Sequence, residues 1–285
     1  MPVHEQGAQR ASSHRTRPVQ LAILSLAAAF ALGSLAIAPA PAAAAVGTGM
    51  KVVIVVGPVE GSTSRYISTA KSYASQVRSY GATVTEIYSP NATWPKVRDA
   101  ARGANLLIYL GHGNGYPSPY GAFSAYTKDG MGLNSSAGKG NSNTKYYGEY
   151  YMRNYIHLAP NAVVILNHLC YASGNSEPGR ANPTKSVAMR RADNFAAGFL
   201  RTGARAVFAI GTGSASHTIK SLFNSDLSMW GIFATDPGRN LRYDFSFNST
   251  RTKGMKVWMD PTSPGRYYRA VTGVLGSSTA SFRGD

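Results

Sequence analysis

The stretch AVVILNHLC, Ala162–Cys170, sets five apolar residues directly against Asn, His and Cys. The run is too short for a helix and has no polar face, so it reads as a strand buried on both sides. NLLIYL (Asn105–Leu110) repeats the pattern and runs into GHGNG (Gly111–Gly115). KVVIVV (Lys51–Val56) and ARAVFAIG (Ala204–Gly211) are two more such runs, and ATVTEIY (Ala82–Tyr88) alternates and is rich in β-branched residues. Between them lie segments with apolar residues near helical spacing: Arg65–Gly81, Ser89–Gly103 and Thr184–Gly203, each closing on a glycine. Strands alternating with helices predict an α/β fold, a three-layer α/β/α sandwich around a mostly parallel sheet. MKVWMDP and YYRAVTGVL suggest short strands added at the sheet edge near the C-terminus, after a helix over Ser216–Ala234.

Open sheets of this kind place their sites beyond the carboxyl ends of the strands. That rule selects the loops after Val56, Leu110, Leu166 and Gly211. Two of them carry chemistry: His112 follows one strand and Cys170 another. If those strands are neighbours, a spacing of about 4.8 Å lets an imidazole and a thiol at adjacent tips face each other. A histidine can take the thiol proton and return it to a leaving amine. The amides of Gly113 and Cys170 could then donate to an oxyanion.

Cys170 is the only cysteine in 285 residues. The N-terminus explains why that is informative. Arg10, Arg15 and Arg17 precede an apolar run, Leu21–Ala38, and then PAPAAAAVG, which is the layout of a secretory signal peptide over residues 1–45. Cleavage is expected near Ala45, with Ala40 as the other site, leaving one domain over 46–285. Export favours paired cysteines, and a single one is buried and inert, linked to another molecule, or reactive. The expected location is secreted, with envelope association open. Removing the leader's three basic residues and Glu5 leaves 26 Lys and Arg against 12 Asp and Glu, or +14. Such a surface attracts polyanions, anionic wall polymers among them. The basic residues form no run of five, so no specific nucleic-acid motif emerges.

Residues 114–148 are a long polar connection rich in Gly, Ser, Asn and Tyr, and Tyr116 to Tyr155 holds eight of the 17 tyrosines. A connection of this length is usually functional or mobile, and its rings suit a sugar or peptide cleft. Glu60, Asn167 and His168 are candidates for a substrate pocket. Glu60 would favour Arg or Lys by charge pairing; Asp193 and Glu177 are further carboxylate candidates. His168 and Cys170 in extended backbone would point the same way and, with His112, could hold a metal, but no further cluster completes that site. No metal and no cofactor is expected. His157, in an expected helix, and His217 read as structural. GHGNG and GTGSAS (Gly211–Ser216) lack the Lys-Ser/Thr of a phosphate loop, and no G-x-S-x-G elbow is present.

An aliphatic strand ending in His-Gly, followed by one ending just before Cys, resembles the caspase, gingipain, legumain and clostripain superfamily of cysteine peptidases. The residues that carry the resemblance are LLIYLGHG, VVILNHLC and NFAAGFLRTGARAVFAIG, spanning Lys51 to Thr212. Leu169 stands before the cysteine where many members have a small residue. The resemblance implies a caspase-like sandwich with His112 as acid/base, Cys170 as nucleophile and the amides of Gly113 and Cys170 as oxyanion donors. The partner would be a protein or peptide substrate. The alternative is a non-catalytic envelope protein of the same fold that binds anionic wall polymers.

Overall fold

The four apolar runs and the alternating segment become five parallel strands: β1 (Lys51–Val56), β2 (Thr83–Tyr88), β3 (Leu106–Leu110), then β6 (Ala162–Asn167) and β7 (Ala204–Ile210). Between β3 and β6 the chain adds a two-stranded antiparallel hairpin, β4 (Met131–Asn134) and β5 (Thr144–Tyr147). The computed structural model describes residues 45–285, so the expected leader lies outside the described residues but for Ala45. These residues form one unit.

The main sheet has eight strands in the order β2-β1-β3-β6-β7-β10-β9-β8. Its last three, β8 (Phe245–Asn248), β9 (Lys256–Met259) and β10 (Arg269–Gly273), run antiparallel to their neighbours. This is the C-terminal edge extension read from the sequence.

Alternate residues of each central strand point to opposite faces. Val53, Val55, Leu107, Tyr109, Val164 and Leu166 pack on one side, with α2 (Trp94–Ala101), α3 (Glu149–Tyr155) and α4 (Lys185–Leu200). Val52, Ile54, Leu106, Ile108, Val163 and Ile165 pack on the other, with α1 (Thr63–Ser79), α5 (Ser216–Asn224), α6 (Met229–Thr235) and α7 (Thr279–Arg283). The result is an α/β/α sandwich with two apolar cores.

Two local expectations need correction. The single helix expected over Ser216–Ala234 is two helices. Ser225 is extended, and Ser228 starts α6 by accepting a hydrogen bond from the Gly231 amide (3.0 Å). A serine offers the backbone an alternative partner and so favours a cap over a helix interior. His157 lies beyond α3, whose C-cap is Ile156, and it is exposed.

The sheet order places the site. From β1 the chain moves outward to β2, then back across β1 to β3, β6 and β7. The strand order therefore reverses between β1 and β3, and a crevice at the carboxyl ends is expected there. The loops after β1, β3 and β6 lie side by side at that edge.

Candidate active site

The register pairs Leu110 with Asn167 at the carboxyl ends of β3 and β6. His112 follows the first by two residues and Cys170 follows the second by three. Both line a cleft of about 620 Å³, together with Gly113, Asn114, Tyr120 and Lys128 among others. Two residues 58 apart in the chain thus line one cleft.

Each glycine of Gly-His-Gly has a steric reason. A Cβ on Gly111 would stand 2.2 Å from the Tyr109 hydroxyl. The Tyr109 hydroxyl accepts from the Gly132 amide (2.9 Å) and faces the carbonyls of Gly132 (2.9 Å) and His112 (3.1 Å). This buried phenol thus fixes the backbone that carries the imidazole. A Cβ on Gly113 would stand 1.9 Å from the Cys170 carbonyl oxygen and 2.9 Å from its amide nitrogen. Real Cβ contacts do not approach so closely, so the two loops meet through bare backbone. The amides of Gly113 and Cys170 donate no hydrogen bond to any described residue. Two free N–H groups beside one thiol are what an oxyanion requires.

His112 Nε2 lies 3.0 Å from Glu60 Oε2. Glu60 sits in the 3₁₀ turn Glu60–Ser62 after β1, with φ of 43°. It lines neither cavity beside Cys170. Its carboxylate is engaged with the imidazole, so the loops after three adjacent strands contribute carboxylate, imidazole and thiol.

Asn167 also departs from expectation. It is fully buried, accepts from the Tyr73 hydroxyl (2.9 Å) and donates to the carbonyls of Ile210 (3.1 Å) and Gly213 (3.2 Å). An amide so engaged braces the strand tip and cannot meet substrate. Asp193 is likewise buried, accepting from Ser249 and from the amide and hydroxyl of Thr250.

His168 has φ of 62°, so the chain turns at the strand end instead of continuing extended. Its ring stacks on Tyr66, with centroids 5.2 Å apart. It lines a second cavity of about 530 Å³, to which Cys170 also belongs and His112 does not. The two imidazoles therefore serve different cavities. Among the described residues no three His, Cys, Asp or Glu side chains group as a metal site would need.

Cys170 is partly exposed and has no disulfide partner. Burial, and then the Glu177 carboxylate, push its thiol up to about 11. At pH 7 only about one such thiol in 10⁴ is ionised. The resting group is the thiol.

The polar excursion supplies residues that the sequence did not single out. Lys128 is buried, and its ammonium donates to Asn114 Oδ1 (2.9 Å), Ser118 Oγ (3.0 Å) and the Tyr120 carbonyl (3.0 Å). It fastens residues 114–120 above the cleft. Tyr120 in turn donates to Glu177 Oε2 (2.6 Å). A lysine in a Gly- and Tyr-rich segment has no periodic signal, so only the fold reveals this role.

Asp129 is buried beside that clip. One oxygen accepts from the Tyr116 amide (3.0 Å) and the other has no partner. Burial pushes its carboxyl up to about 8, so it is protonated at neutral pH. The raised value means stability that is complete below the ordinary carboxyl range and is lost as pH rises through 8. The melting temperature of the parent should fall between about pH 4 and 8. Asp129→Asn, which keeps the shape without the titration, should flatten that part of the curve in a thermal-shift series. An equal slope in both proteins would contradict the assignment.

Comparison of the chain with models of known protein families finds no match, and comparison with curated proteins finds none either.

Proposed function

We propose that this protein is a cysteine peptidase of the caspase-like kind, exported on the leader read in residues 1–45. The observation that carries the proposal is the meeting of two strand tips through Gly113 and the backbone of Cys170. It leaves two unengaged amides beside a thiol that shares its cleft with a carboxylate-held histidine.

The chemistry follows from those groups. As Cys170 Sγ bonds to a peptide carbonyl carbon, its proton passes to His112. The carbonyl oxygen gains charge and takes the Gly113 and Cys170 amides. The carbon–nitrogen bond then breaks, and the leaving amine takes its proton from His112. Water adds to the thioester with His112 as base, the carbon–sulfur bond breaks, and the thiol is restored. Glu60 orients the imidazole through its contact with Nε2.

General acid–base help of this kind contributes about 10²–10⁴-fold. His112→Ala should lower kcat on an unfolded protein substrate by that factor. Unchanged cleavage in this variant would end the proposal.

A second reading, binding of an anionic wall polymer, has one observation in its favour. Tyr126, Tyr150, Tyr151 and Tyr155 form a ring cluster on the surface with Arg153 beside Tyr150. It requires no thiol. It stands alone only if the protein cleaves no peptide and yet sediments with wall material at low salt.

A further inference from the structure

The last strand of the sheet presents a backbone edge. β8 pairs with β9 alone, and no described strand lies beyond it. Its phase is fixed at the turn, where the Ser249 amide donates to the Met255 carbonyl (2.9 Å). Antiparallel pairs alternate, so Phe245 and Phe247 turn their backbone groups toward β9 while Ser246 and Asn248 turn theirs outward. The outward amides bond to no described residue. The strand, FSFN, carries no charge and no proline, two of the devices that keep such an edge from pairing. The opposite edge strand, β2, carries Glu86, ion-paired with Arg78.

Two cavities accompany that edge. Phe245 and Phe247 share a face, their rings stacked with centroids 6.4 Å apart. Phe245, Tyr243, Tyr267 and Lys185 help to line a cavity of about 440 Å³, and Phe247, Met189 and Arg190 one of about 210 Å³. Cavities at two positions two residues apart match the alternate side chains of a strand laid beside β8. The charge there has one sign. Lys185 Nζ stands 3.9 Å from the centroid of the Phe245 ring. Neither Lys185 nor Arg190 makes an ion pair among the described residues. Lys256, in register with Asn248, adds a third cation. The carboxylates nearby are engaged: Asp193 with Ser249 and Thr250, and Asp244 with the Trp258 indole (2.8 Å). Two copies of the chain paired along β8 would set these cations against their own kind, which disfavours a second copy as the occupant.

We infer that β8 takes an extended, acidic segment of a partner protein as an added antiparallel strand. Two apolar side chains of that segment, two residues apart, enter the cavities beside Phe245 and Phe247. Carboxylates on the same face meet Lys185 and Arg190. In the sheet order β8 lies four places from β6, so the inference does not rest on the chemistry at Cys170.

The test uses a fluorescein-labelled peptide, Glu-Thr-Leu-Thr-Leu-Thr-Glu, whose Glu and Leu side chains share one face of a strand. Binding is read by fluorescence polarisation on protein carrying Cys170→Ala, so that no cleavage consumes the probe. The acidic peptide should bind saturably. The same peptide N-methylated at its first two threonines, which would face Asn248 and Ser246, should bind about tenfold more weakly for the loss of two hydrogen bonds. A peptide with Lys in place of each Glu should also bind about tenfold more weakly, and Lys185→Glu with Arg190→Glu should reverse that order. Both positions are exposed, so the fold is kept. Ser246→Pro removes one outward amide, at a place where an edge strand tolerates proline. It should weaken the acidic peptide while the melting temperature stays as it was. Failure of the acidic peptide to bind at about 1 mM overturns the inference. So does equal binding by the N-methylated peptide or by Ser246→Pro, since charge would then act without strand addition. A dimer in sedimentation that the peptide does not disperse assigns the edge to a second copy and overturns it as well.

Discussion

Cys170→Ala should bring peptide cleavage to background while the melting temperature at pH 7 moves by only a few degrees. The two halves of that result have separate causes. The sulfur is the only nucleophile that the proposed chemistry uses, and the histidine cannot form the thioester in its place. Structurally the side chain contributes little. It is partly exposed, makes no disulfide and packs at the margin of one core. Trimming one atom there costs about 1 kcal/mol, which corresponds to a few degrees in a domain of this size. A matched thermal-shift and cleavage assay reads both numbers from one preparation. Residual cleavage above background would place the activity elsewhere. Loss of the fold would instead make the cysteine structural.

Gly113→Ala should be nearly as damaging to activity and worse for stability. The added methyl would stand 1.9 Å from the Cys170 carbonyl oxygen, which is backbone and cannot swing aside. One loop must retreat from the other. Forcing a methyl into a packed contact of this kind costs about 1–3 kcal/mol. The movement also withdraws the Gly113 amide from the developing oxyanion, and loss of one such donor lowers kcat by about 10²–10³-fold. Measured kcat should drop with KM little changed, because the donor acts in the transition state. A variant with parental kcat would show that the Gly113 amide does not serve the reaction. A rise in KM alone would move the glycine's role to substrate binding.

The sheet was legible because its strands are unusually plain. Lys51–Val56, Ala162–Asn167 and Ala204–Ile210 are apolar on both faces, and nothing competes with the reading of a buried parallel strand. The meeting of His112 and Cys170 at one cleft followed from it, since parallel neighbours end at the same edge. The remainder depended on where loops fold back. Glu60 had the right residue type and the right strand tip. Its partner was set by a turn with positive φ that no periodicity announces. Asn167 looked available because it follows an aliphatic run, yet the strand continues through it and Tyr73 reaches across from α1 to bond it. Lys128 and Asp129 were hidden in a segment whose composition suggests a loose loop. Met131 and Leu133 anchor that segment in the core, and burial gives both charged residues their unusual setting.

The central claim is that Sγ of Cys170, the imidazole of His112 and two free amides converge on one carbonyl. A crystal structure of the protein treated with a peptide aldehyde tests it most directly. The account predicts a covalent thiohemiacetal on Cys170, its oxygen within hydrogen-bonding distance of the Gly113 and Cys170 amides, with His112 beside it and still held by Glu60. An unmodified sulfur, or an adduct whose oxygen points away from both amides with His112 out of reach, would contradict it.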